Sequence, residues 1–159
     1  MATPLLDHEV LRLDNSSYVE LLVTTFQHLQ AINATNYSDL FKQSNTSVHI
    51  ENASKDKVQF KFRSDTILSC SGNFSFKQDK LNSFTYTIKP VSYFKKRVCK
   101  KQYQRIITML TNISKTDGAE VKAISNEVTR FHFDSGTLTV TNGQHIITGT
   151  PMVTILFDR

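Results

Sequence analysis

The sequence predicts an α+β domain in which two helices pack on a largely antiparallel sheet. The element order is (β)-α-β4-α-β4, ending in a four-strand meander. Three patterns lead to this expectation. Apolar residues recur at spacings of three and four in two separated stretches, and they alternate at period two between and after those stretches. Gly, Asn and Pro interrupt the alternation where turns are needed. A chain of 159 residues is long enough to bury one core, so residues 1–159 are expected to form a single domain, with residues 1–8 flexible.

Glu9 to Leu13 alternates weakly and reads as a short first strand. Ser17-Tyr18-Val19-Glu20 has the form of a capping box, in which the serine hydroxyl meets an N3 amide and the glutamate reaches back. A helix is expected to begin there, with Tyr18, Leu21, Leu22, Phe26, Leu29 and Ile32 as its apolar stripe. Asn33 to Asn45 is loop-like, with one helical turn over Ser38 to Lys42. Val48 and Ile50 then lead into Val58, Phe60 and Phe62, which alternate with Gln59, Lys61 and Arg63 as a half-buried strand does. Ile67 to Cys70 and Phe74 to Phe76 continue the meander on either side of a break at Ser71-Gly72. Phe84, Tyr86 and Ile88 form a strand that Pro90 ends.

The second helix is expected from Phe94 to Ser114, because Cys99, Tyr103, Ile106, Leu110 and Ile113 make an apolar seam at 3.6 residues per turn. Near the end of the chain, Asn142-Gly143 suits the positive φ angles of a type I′ turn. It predicts a hairpin of Thr137–Thr141 with Gln144–Thr148, preceded by a strand at Glu127–Phe133 and followed by one at Met152–Phe157. With the Glu9–Leu13 strand included, this order is similar to one domain of a DNA sliding clamp. The resemblance is one of element order alone, and cystatin-like and other helix-on-sheet folds share most of it.

Charge is unevenly placed. No acidic residue lies between Asp79 and Asp117, a stretch that holds nine basic ones; these exceed the net charge of +5, so the rest of the chain is net acidic. Arg97, Lys101 and Arg105 fall opposite the apolar seam in one row, about 6 Å apart along the helix axis, with Lys96 and Lys100 at its flank. Such a row can neutralise successive phosphates and release their counterions, so an anionic partner is expected, nucleic acid first. A solvated face with snorkelling stems is the plain alternative, and an anionic lipid or protein surface is another. Tyr93, Phe94 and Tyr103 lie among the charges and could stack on bases. Tyr103, however, belongs to the seam, and the other two suit a hydrophobic staple. No base-reading motif is present.

The chemistry of catalysis is not written here, and no enzyme, metal site or cofactor is expected. His8, His28, His49, His132 and His145 are scattered without a metal-binding pair. Ser69-Cys70-Ser71-Gly72 lacks a nucleophile elbow, and the glycines at 72, 118, 136, 143 and 149 each read as turn residues rather than a phosphate loop. No apolar run is long enough for a spanning helix. Residues Met1 to Asp7 have neither a basic leader nor an apolar core, which favours an intracellular protein. Against that stand seven N-x-[ST] triplets, at Asn15, Asn33, Asn36, Asn45, Asn52, Asn73 and Asn112. Chance gives roughly two at this composition, so an extracellular or virion-surface glycoprotein is the second reading. Turn-forming asparagine is the bland account of the same triplets. Cys70 and Cys99 are expected on a strand and a helix as buried thiols, with a disulfide between them as the alternative. A third reading is an assembly subunit that associates through its sheet, using the apolar strand at Ile155-Leu156-Phe157.

Overall fold

The structure, a computed structural model, describes residues 21, 22, 24, 25, 28–43, 48–63, 68–90 and 95–159. Among the described residues the fold is mixed α/β, with an eight-stranded antiparallel sheet and two helices of defined bounds. Helix α1 (Tyr37–Gln43) precedes strands β1 (Val48–Ala53), β2 (Lys57–Arg63), β3 (Leu68–Lys77) and β4 (Lys80–Pro90). Helix α2 (Lys95–Asp117) leads to β5 (Glu120–Ser125), β6 (Val128–Phe133), β7 (Gly136–Gln144) and β8 (Pro151–Asp158). The strand order is β1-β2-β3-β4-β8-β7-β6-β5, so two meanders join through the central β4–β8 pair.

Period-two burial decides which way the sheet faces. Val58, Phe74, Phe84, Phe157, Leu138 and Phe131 are successive register partners across six strands, and all are buried. A second row runs Phe60, Gly72, Tyr86, Ile155, Val140 and Thr129. The helices cover this side. Phe41 of α1 lies 4.8 Å from the Phe60 ring and 5.9 Å from that of Phe74, and Tyr103 of α2 shares a 2.9 Å hydrogen bond with Thr129. Leu21, Leu22, Leu29 and Ile32 are buried, and the backbone at Leu21, Leu22, Thr24 and Thr25 is helical. The Thr25 hydroxyl donates to the Leu21 carbonyl at 2.7 Å, so the Tyr86 hydroxyl is the donor in its 2.5 Å bond to Thr25 Oγ1. The other sheet face is half-exposed and rich in hydroxyls, with Ser71, Thr87, Thr154 and Thr141 in one row.

Five expectations need correction. Asn142 and Gly143 do not turn the chain: they lie inside β7, paired with Val153 and Met152, and the turn comes at residues 145–150. A two-residue turn at Asn142-Gly143 would set His145 opposite Val140 in the core row, whereas the observed register sets Ile155 there. Gln144–Thr148 is therefore not a strand, and the fourth strand of the meander is Glu120–Ser125. Its six residues are all exposed at the sheet edge, which left no alternation to read. The β6 strand begins at Val128, not Glu127, because Asn126 and Glu127 form the β5–β6 turn.

Ser71-Gly72 is likewise no break. β3 runs straight through it, and Gly72 is buried between the Phe60 and Tyr86 rings; a Cβ there would come within 2.9 Å of Tyr86 Cδ1 and nearer still to Phe60. Finally, Ile155-Leu156-Phe157 is not an open edge, since β8 is flanked by β4 and β7 and only Leu156 points outward. The edges are β1 and β5. The expected strand at Glu9–Leu13, the capping box at Ser17–Glu20, the flexible stretch 1–8, and residues Tyr18, Phe26, Tyr93 and Phe94 lie outside the described residues.

Candidate functional site

Helix α2 lies on the sheet between β4 and β5. Cys99, Gln102, Tyr103, Ile106, Met109, Leu110, Ile113 and Ser114 form its buried side. With that side fixed, 3.6-residue periodicity turns Arg97, Lys100, Lys101, Gln104 and Thr108 to solvent, and Arg105 is half-buried among them. Lys96 is on the helix, but its side chain lies outside the described atoms. The structure thus gathers Arg97, Lys100, Lys101 and Arg105 on the outward side of one rigid element.

The charges crowd into the wrong end of the helix for stability. Lys95, Lys96, Arg97, Lys100, Lys101 and Arg105 all fall in its first eleven residues, and the first turn holds no acid. The amino end of a helix already bears the positive pole of its dipole, so the cations of the first turn, Lys95, Lys96 and Arg97, cost roughly 0.3–1 kcal/mol each instead of helping, and the effect fades beyond that turn. Among the described residues, no carboxylate pairs with Arg97, Lys100 or Lys101; Lys61 and Glu51 form an ion pair elsewhere, 3.3 Å apart on the first two strands. Dipole and side chains therefore add to one positive field over the outer side of α2.

Beside the start of α2 the sheet ends in a depression of about 480 Å³. Lys100 lines it from the helix, Glu127 from the β5–β6 turn, and Asn142, Gly143, Gln144 and Pro151 from the ends of β7 and β8. Sequence reasoning missed this juxtaposition because it assigned Asn142-Gly143 to a turn and Glu127 to a strand. Only the correct hairpin register brings these groups to Lys100.

The other candidates are dispersed. Tyr103 is core, with its hydroxyl on Thr129, so it is not a stacking platform. The hydroxyl-rich open face of the sheet carries no Phe, Tyr or Trp side chain among the described residues; its ring-bearing side chains are His49 and His132. Asn52 and Asn73 are exposed, on β1 and in the middle of the open face, and Asn112 is half-buried on α2. Asn33 and Asn36 serve a local turn: Asn33 Oδ1 accepts from the Thr35 and Asn36 amides, both at 2.9 Å, while Asn36 Nδ2 donates to the Ala31 carbonyl. Asn15 and Asn45 lie outside the described residues.

Cys70 and Cys99 are buried thiols not joined in a disulfide, and burial pushes the Cys99 thiol up to about 11, away from the reactive thiolate. Burial also raises the Tyr86 phenol well above its ordinary range, with the Thr25 hydrogen bond opposing the shift. Among the described residues there is no group of three or more His, Cys, Asp or Glu side chains placed to hold a metal, and no helix is long and apolar enough to cross a membrane. The chain matches no protein-family model, no curated protein and no solved structure.

Proposed function

We propose that this is a non-enzymatic binding domain whose helix α2 presents Arg97, Lys100, Lys101 and Arg105, with Lys96, to an anionic polymer, nucleic acid. One observation supports the reading above all. Six cations and no acid occupy the first eleven residues of α2, and the helix dipole penalises the three in its first turn. A merely solvated face has no reason to accept that penalty, whereas a phosphate-binding face uses the dipole and the side chains together. The spacing of Arg97, Lys101 and Arg105, about 6 Å per step, suits contact with successive backbone phosphates more than the reading of any one base.

The test is fluorescence anisotropy of a labelled mixed-sequence duplex of about 20 base pairs, titrated at several salt concentrations. Four phosphate contacts imply a log–log salt slope of about −3 to −4. Combining Lys100→Glu with Lys101→Glu should reduce that slope by about 2 and weaken low-salt binding at least tenfold. Both side chains are exposed, so the fold should survive. Equal affinities for wild type and variant at low salt would sink the proposal.

A further inference from the structure

Among the described residues, the most anomalous surface is the β7–β8 turn. Ile146 is 100% exposed and Ile147 88% exposed, so two large aliphatic side chains stand in water at the tip of one hairpin. The turn is not slack. His145 N donates to the Thr150 carbonyl and Gly149 N to the His145 carbonyl, both at 2.9 Å, with Gly149 in the left-handed region at φ 68°. His145 Nδ1 accepts from the backbone amides of Ile147 and Thr148 at 3.2 and 3.3 Å, and the Thr148 hydroxyl donates to Thr150 Oγ1 at 2.9 Å. Each of these bonds lies within the turn, which therefore holds the isoleucine pair outward without help from a partner. At the base of the turn, Gln144 and Pro151 line the same depression as Lys100.

We propose that Ile146 and Ile147 form an apolar wedge that enters a base step of duplex nucleic acid while Lys100 and its neighbours on α2 hold the adjacent phosphates. A partner for this end of the molecule must offer anionic groups near Lys100 and an apolar interior to the isoleucines. A stacked duplex offers both, and aliphatic wedges are a recurrent means of unstacking and bending it. An anionic bilayer also offers both, but the groups between cation and wedge favour the duplex. Glu127, Asn142 and Gln144 line the intervening depression. The phosphates of either surface repel the carboxylate, but a headgroup layer has little use for the two amides, whereas carboxamides are hydrogen-bonding partners of base edges in the groove that such wedges enter. The proposal rests on the reading of α2 as the nucleic-acid contact and adds a mode of binding that the helix alone does not imply.

The experiment uses the full chain and a duplex carrying 2-aminopurine at its centre, whose fluorescence rises when its base step unstacks. A doubly substituted protein, Ile146→Ser with Ile147→Ser, is compared with wild type; both sites are solvent-exposed, so the fold is preserved. Wild type should raise the fluorescence on binding. The variant should keep the salt slope set by α2, bind about tenfold more weakly and lose most of the fluorescence rise. Salt-dependent binding with no fluorescence rise, or with the same rise in both proteins, overturns the wedge and leaves the helix reading intact. Absence of salt-dependent binding in wild type overturns both. Duplex binding unaffected by the substitutions, alongside their loss of sedimentation with phosphatidylserine vesicles, also overturns it and assigns the turn to a membrane.

Discussion

Gln78 and Asp79 turn the chain from β3 into β4 with φ of 52° and 67°, and they pair Lys77 with Lys80 across a two-residue loop. This is the left-handed geometry expected at Asn142-Gly143, reached here by two residues that adopt it at a cost of about 1 kcal/mol or more each. Replacing them by the residues the turn favours, Gln78→Asn with Asp79→Gly, should therefore stabilise the protein by about 1 kcal/mol, the gain being reduced by glycine's freedom in the unfolded chain. The Asp79 carbonyl, which accepts from Ala34 N, is kept by the substitution. Equilibrium urea unfolding measures the change, and a midpoint that fell would mean that the aspartate side chain matters more than the backbone strain. Residue-level signals misled at these sites because the core outbids them. Asn142-Gly143 has the stronger turn chemistry, but turning there would bring an imidazole into a row now filled by Val140 and Ile155. Gly72 reads as punctuation, yet it is a strand residue whose missing side chain is replaced by the Phe60 and Tyr86 rings, 6.0 Å apart and edge to face.

Among the elements, α2 was the most legible, since Cys99, Tyr103, Ile106, Leu110 and Ile113 repeat at helical spacing and all five are buried. The same pattern places Arg97 and Lys101 outside, with Arg105 half-buried beside them, so the side of α2 that carries the charges is readable from residue spacing. Its neighbour β5 is not, because an edge strand that buries nothing has no alternation to display. Nor is the depression beside Lys100, which depends on strand register and not on spacing. The burial of α2 also makes stability depend on alkaline pH. Folding raises the Cys99 thiol from 9.0 to about 11, so above pH 9 the unfolded chain loses this proton while the folded one retains it. The stability linked to Cys99 is thus complete below pH 9 and falls away as pH rises toward 11. The buried Tyr86 phenol adds a loss of the same sign at still higher pH. Urea midpoints across this range should fall for wild type and fall less steeply for Cys99→Ala, whatever that variant's starting stability. Parallel slopes for the two proteins would show that the thiol does not contribute.

On the scale of the whole molecule, the decisive contact is between the two strands that end the meanders. β4 and β8 pair from Ser83–Asp158 to Ile88–Val153, and Phe84 stacks on Phe157 with ring centroids 5.3 Å apart and planes at 15°. Arg159 extends the junction, donating from Nε to the Leu81 carbonyl at 2.6 Å. An apolar strand near the end of the chain reads in the sequence as a surface in need of a partner; its partner is the other half of the same sheet. The aromatic cluster is continuous across the junction, from Phe41 through Phe60, Phe74 and Phe84 to Phe157, so the halves should not melt separately. Phe157→Ala removes a fully buried ring at the centre and should cost about 3–5 kcal/mol. The loss should be global: hydrogen exchange of the β2 and β3 amides should accelerate together with that of β6 and β7, and circular dichroism should show one transition at a lower temperature. If the β2 and β3 amides kept wild-type protection while β6 and β7 lost theirs, the two meanders would be separate cooperative units, and the sheet would be continuous in geometry but divided in energy.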